Sequence, residues 1–151
     1  MIKVRTSGAQ RVKNSIRKAV SRMRPSAHVT VGIHEEEGQH SNGISNAQLG
    51  AAHHFGVGNL PARPWLDVGV NQGFKKYSEA VSQTLQGGGS YEQALDAAGA
   101  LAAAEAQVYL TDLDSPPNTQ QTVDRKGSSN PLIDSGQLRS SVGHKVQKGN
   151  L

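Results

Sequence analysis

Six histidines, Ser135 in an Asp-Ser-Gly run and one triple glycine are the places where this chain could hold chemistry. His34 and His40 flank Glu35–Glu37, but HEEEGQH is not HExxH. Histidines six apart do not share a helix face as an i, i+4 pair does, so they do not make a zinc pair of that kind. His53 and His54 are adjacent, and in a helix they point about 100° apart, which prevents joint chelation. A solvated loop and a helix end are the simpler readings of the two pairs. Ser135 stands in Asp134-Ser135-Gly136, without the GxSxG frame of an esterase elbow or a neighbouring base. A serine there suits a turn or an N-cap. Gly87–Gly89 follows a predicted helix rather than a strand and lacks the basic residue of a phosphate loop. No cysteine is present, which excludes disulfides and thiolate metal sites. No catalytic, cofactor or metal site is therefore expected.

The elements that would position these residues are read from spacing. Apolar residues at 9, 12, 16, 19, 20 and 23 mark one face of a helix over Ala9–Met23, with Pro25 as its stop. His28–Ile33 alternates as a half-buried strand. Ser45 and Gln48 have capping-box spacing, with Ile44 and Leu49 as a staple, and predict a helix over Asn46–Phe55 ending in a left-handed cap at Gly56. Two prolines keep the chain extended or turned to Trp65. Phe74, Tyr77, Val81 and Leu85 then predict one helix across residues 66–86. A second capping box, Ser90 and Gln93, starts an Ala-rich helix to about Leu110, with Leu95, Ala98, Leu101, Ala102, Val108 and Tyr109 on one side. Residues 112–130 read as a long polar loop, and Val142–Val146 as a closing strand. The plan is α+β: a small, mostly antiparallel sheet packed against helices, with a basic N-terminal helix and a long polar loop before the C-terminal strand. One domain over residues 1–151 is expected, carrying the basic helix in 1–24 and an extended loop or arm in 112–130.

Charge is unevenly placed. Residues 1–24 hold eight bases and no acid, while the other 127 residues hold eight bases and twelve acids. Such a layout suits an acidic surface, a nucleic acid, or copies of the chain meeting head to tail. The basic face of Arg11, Lys13, Arg17, Lys18 and Arg22 is the candidate contact with an acidic partner or DNA. It has no aromatic to stack on a base, so any contact with DNA is expected to be salt-sensitive and sequence-blind. No stretch approaches the ~20 apolar residues of a membrane helix, and no membrane partner is expected. The N-terminus lacks the apolar core of a signal peptide, and assembly in a cytoplasm is expected. Apolar content is thin at 35%, much of it Ala, which suggests stabilisation by a partner or by self-assembly.

Trp65 is the only tryptophan and follows Pro61-Ala-Arg-Pro64. It either plugs the core or, with Arg63, anchors an interface, where Trp and Arg are enriched. In SNPLIDSGQLRSS, Ser129–Ser141, Asp134 or Ser135 can cap a turn. Leu132, Ile133 and Leu138 would fold inward there, leaving Arg139 available to a neighbour.

Three blocks together resemble the neck and tail-completion (virion-morphogenesis) proteins of tailed bacteriophages: VTVGI with LGAAHHFG, then LPARPWL, then TVDRKGSSNPLIDSGQLRSSVGHKV. They cover about a third of the chain, in an order and spacing that span most of it. The resemblance implies a non-enzymatic subunit of a homo-oligomeric ring, six- or twelve-fold, at the head–tail junction of a virion, around the DNA passage. Its neighbours would be the portal or adaptor side and the tail-terminator or tube side. On this reading Arg63, Trp65, Asp134, Leu138 and Arg139 serve subunit or neighbour contacts. The alternatives are a tail terminator capping the tube and, from another class, a small basic DNA-binding protein.

Overall fold

A computed structural model describes residues 27–35, 38–39, 43–133 and 135–149. The predicted basic helix, with Arg11, Lys13, Arg17, Lys18 and Arg22, lies outside the described residues, as does Asp134. The elements run β1 (Ala27–Ile33), α1 (Asn46–Phe55), α2 (Trp65–Gln72), α3 (Phe74–Gln86), α4 (Tyr91–Asp112), α5 (Gln120–Lys126), α6 (Gln137–Ser140) and β2 (Val142–Lys148). The two strands pair antiparallel, with Val29 opposite Val146, Val31 opposite His144 and Ile33 opposite Val142. Among the described residues the architecture is thus α+β, six helices and a small antiparallel sheet packed against them.

Helix α4 organises the rest. It packs on both strands, on α2 and on α3. It can meet so many neighbours because the buried face is built from small residues: Ala94, Ala98, Gly99, Ala102, Ala103 and Ala106, ending in Leu110. A Cβ on Gly99 would lie 2.6 Å from the side chains of both Val29 and His144, so the strand side chains fill the space at this point of the helix. Gly69 makes a close approach from α2, where a Cβ would stand 2.8 Å from the Ala106 Cα. This corrects the predicted face of α4. Leu101 and Val108 point outward and are exposed. Close approach on two sides favours small residues over large ones, and apolar spacing alone does not carry that preference.

The helix predicted across 66–86 is two helices, broken at Gly73. The Tyr77 phenol occupies the place where a Cβ on residue 73 would be, 2.3 Å from Oη, and donates a 2.9 Å hydrogen bond to the Val70 carbonyl. Phe74, predicted on the inner face, is 75% exposed as a result. Lys76 and Glu105 form an ion pair that ties α3 to α4 at the surface. At the end of α1, Gly56 has φ 76° but ψ 143°, so the chain leaves extended rather than through the predicted left-handed cap.

Residues 112–130 also differ from the expected loop, because they contain α5. Asn130 pins the far end. Its amide donates to the Thr111 carbonyl (2.6 Å), and its Oδ1 accepts from the backbone of Leu132 and Ile133, each at 2.8 Å. The core lies where these pieces meet: Trp65, Ala106, Leu110, Leu113, Leu132, Leu138 and Val142.

Candidate functional site

Of the residues singled out by sequence, Trp65 and Leu138 meet at Gly50 and Arg63 binds back to His53, all against α1. Its start is held by a reciprocal capping box: Ser45 Oγ accepts from Gln48 N (3.1 Å) and Gln48 Oε1 accepts from Ser45 N (3.0 Å). Beyond its C-terminus the chain turns back, and the Arg63 N–H donates to the His53 carbonyl at 2.8 Å. Pro64 has no N–H and cannot extend that pairing. Helix α2 begins directly after it.

Trp65 therefore enters α2 with its indole directed inward. It is 2% exposed, and Nε1 donates to the Gly50 carbonyl at 3.1 Å. Gly50 is where three segments close on each other. A Cβ there would lie 2.8 Å from Ile33, 3.4 Å from Trp65 and 3.6 Å from Leu138. Asn46 is buried at the head of the same helix and donates to Ser141 Oγ at 2.7 Å, linking α1 to the turn before β2.

Arg63 is 1% exposed. Nε donates to the Pro116 carbonyl (2.8 Å) and Nη2 reaches the Pro117 carbonyl (3.4 Å). Nη1 is buried and has no hydrogen-bond partner. No carboxylate among the described residues forms an ion pair with this guanidinium. Burial lowers its pKa from the ordinary arginine value. The planar fork suits two successive carbonyls, which a lysine would meet as a point charge.

The four expected contact residues that are described thus separate. Arg63, Trp65 and Leu138 are buried within the chain: Trp65 takes the core alternative left open for it, and Leu138 folds inward as the sequence suggested. Trp65 enters α2 directly after Pro64, and Arg63 finds its acceptors in the carbonyls of Pro116 and Pro117, more than fifty residues further along the chain. Arg139 is exposed, beside a shallow depression shared with Ala104, Val108 and Asp112. Leu132 folds inward as predicted, and Ser135 Oγ accepts weakly from Gln137 N at 3.4 Å.

The adjacent histidines diverge. His54 is buried edge-on to Trp65, with ring centroids 6.2 Å apart, and its Nε2 lies 3.5 Å from Asp67 Oδ2. His53 faces the other way, into a cleft of about 430 Å³ between α1, α5 and the turn into α6. Its pKa is lowered to about 4, first by burial and then by the charges of Arg63 and Lys126. A second, more apolar cleft of about 320 Å³ runs between β1 and α1, lined by Val31, Ile33, Ala47 and Ala51, with Phe55 at its edge and 76% exposed. Among the described residues no three His, Cys, Asp or Glu side chains gather as metal ligands would.

Sequence reasoning missed Asn46, Asn130 and the seat of Arg63 in the loop. The capping box located Asn46 at the first helical position but carried no sign of its partner 95 residues away. Comparison with family models, curated proteins and solved structures returned no match.

Proposed function

We propose that this chain is a structural subunit of a virion of the tailed-phage kind, forming a homo-oligomeric ring at the head–tail junction. The observation that supports it is the joining of the three sequence blocks behind the resemblance. VTVGI, LGAAHHFG, LPARPWL and the block 122–146 meet around Gly50 and Trp65 and interlock through side chains that are consumed internally. An arrangement of this kind sets the shape of a subunit and leaves its chemistry to surfaces. The exposed apolar side chains Phe55, Val57, Phe74 and Val108, with Arg139, are the surfaces a neighbouring subunit would cover.

The test is the mass in solution, by light scattering on a column, across protein concentration and at low and high salt. A species of six or more subunits is the expected result. A chain that stays monomeric under every condition, yet binds duplex DNA with an affinity falling steeply with salt, would replace this reading with the DNA-binding one.

A further inference from the structure

The cleft beneath His53 has the makings of a site that the assembly reading does not use. Its wall carries two cations, Arg125 and Lys126, and the neutral donors Asn118, Thr122, Ser135 and Gln137. No carboxylate lines it among the described residues. Leu49, Leu60 and Leu132 supply an apolar side. Beside His53 lies the buried Arg63 guanidinium, which among the described residues has no ion-pair partner and leaves Nη1 unsatisfied.

A buried charge of this kind is costly unless compensated, and it projects positive potential through a low-dielectric wall. His53 stands in that field: its imidazole is lowered to about 4, first by burial and then by the charges of Arg63 and Lys126. Its Nδ1 is also buried and without a partner. Lys126 Nζ already donates to the Asn130 carbonyl at 3.1 Å, which fixes the ammonium at the cleft wall. Arg125 is exposed and free to swing over the opening.

We propose that this cleft binds an oxyanion, a carboxylate or phosphate group, held by Arg125 and Lys126 in the field of the buried Arg63. The combination of fixed cation, swinging guanidinium, hydroxyl and amide donors is what such a group requires. The apolar side accommodates a short aliphatic stem, which an acidic side chain of a second copy would bring. A free anion would use the polar side alone.

The experiment follows the His53 imidazole resonance of the full-length chain by NMR. Phosphate and, separately, glutarate are titrated against sodium chloride at matched ionic strength. A saturable shift with the oxyanions, absent with chloride, is the expected result. Arg125→Gln should weaken the binding about tenfold, as loss of a charge-assisted hydrogen bond does. Because Arg125 is exposed, this variant is expected to keep its fold, with an unchanged circular dichroism spectrum. A dilution series without added anion separates the sources. A shift that grows with protein concentration together with particle mass assigns the oxyanion to a second copy, and one that needs added anion assigns it to a free ligand. No shift in any arm, a shift that chloride reproduces, or an Arg125→Gln variant that binds like the parent overturns the proposal.

Discussion

Replacing Trp65 with alanine decides between the two roles that sequence left open for it. The side chain is 2% exposed, packs with Leu110, Leu132 and Leu138, and donates to the Gly50 carbonyl. Removing it deletes the largest apolar side chain of the core and leaves a cavity that α1 and α2 cannot close while Pro64 fixes the start of α2. Substitutions of this kind cost about 3–5 kcal/mol. That is a large share of the ~5–15 kcal/mol that holds a typical domain together. With a urea slope of about 2 kcal/mol/M, the unfolding midpoint should fall by about 2 M. The assay is urea unfolding followed by circular dichroism, since the variant has no tryptophan to report. Trp65→Phe retains most of the ring burial and loses the indole N–H bond, so its expected cost is smaller, about 1–2 kcal/mol. Running both at several protein concentrations separates core from interface. A core residue loses the same amount at every concentration, whereas an interface anchor loses more where the assembly is populated. A Trp65→Ala midpoint within about 0.3 M of the parent would refute the core assignment.

Four further outcomes are expected. Gly69→Ala places a methyl 2.8 Å from the Ala106 Cα and should cost about 1–3 kcal/mol in urea unfolding. Gly143→Ala, with nothing within 4 Å, should cost far less; equal effects would contradict the close approach of α2 to α4. Ser90→Ala removes a capping box whose two bonds are 2.7 and 3.1 Å and should lower stability by about 1 kcal/mol, read as a shift of the thermal midpoint. His53 has a folded pKa of about 4 against an ordinary 6.5, so the unfolded state takes up its proton first as pH falls. Stability should therefore drop between about pH 6.5 and 4 more steeply in the parent than in His53→Gln, and parallel pH curves would show that His53 is not held neutral. Arg63→Lys gives up the two-carbonyl fork to Pro116 and Pro117, so amide exchange around residues 113–119 should quicken, while protection unchanged from the parent would mean that the fork does not hold the loop.

How much of this was legible follows from how local each cause is. Both capping boxes are legible from four residues each, and both form with reciprocal bonds. Strand β1 and the start of β2 came from alternation, and only their ends differ by a residue or two. The break at Gly73 was not legible, because helical spacing continues through it. Its cause is the Tyr77 phenol filling the space that a side chain would need. The buried face of α4 was hidden for a related reason. Apolar spacing weights Leu101 and Val108, whereas packing between a sheet and two helices selects Ala and Gly. Helix α5 has Val123 as its single apolar residue, so QQTVDRK offers no periodicity to detect.

The site was half legible, and the missing half was the direction in which its residues point. Trp65 takes the core alternative that its sequence left open beside the interface one, and Arg63, read with it as an interface anchor, is buried as well. The carbonyls that claim Arg63 belong to Pro116 and Pro117, more than fifty residues further on. A proline pair in a polar stretch gives no sign that it will cover an arginine. Once it does, the guanidinium cannot serve a neighbour directly, and its charge acts only through the wall that His53 and Lys126 share. In the proposed assembly, specificity toward a partner would fall to the side chains that remain outside, Arg125 at the cleft and Arg139 beside Val108. On that proposal, a contact search confined to Arg63 and Trp65 would test residues buried in the chain's own core, and variants at the exposed Arg125 and Arg139 are the ones expected to change association while the fold stays intact.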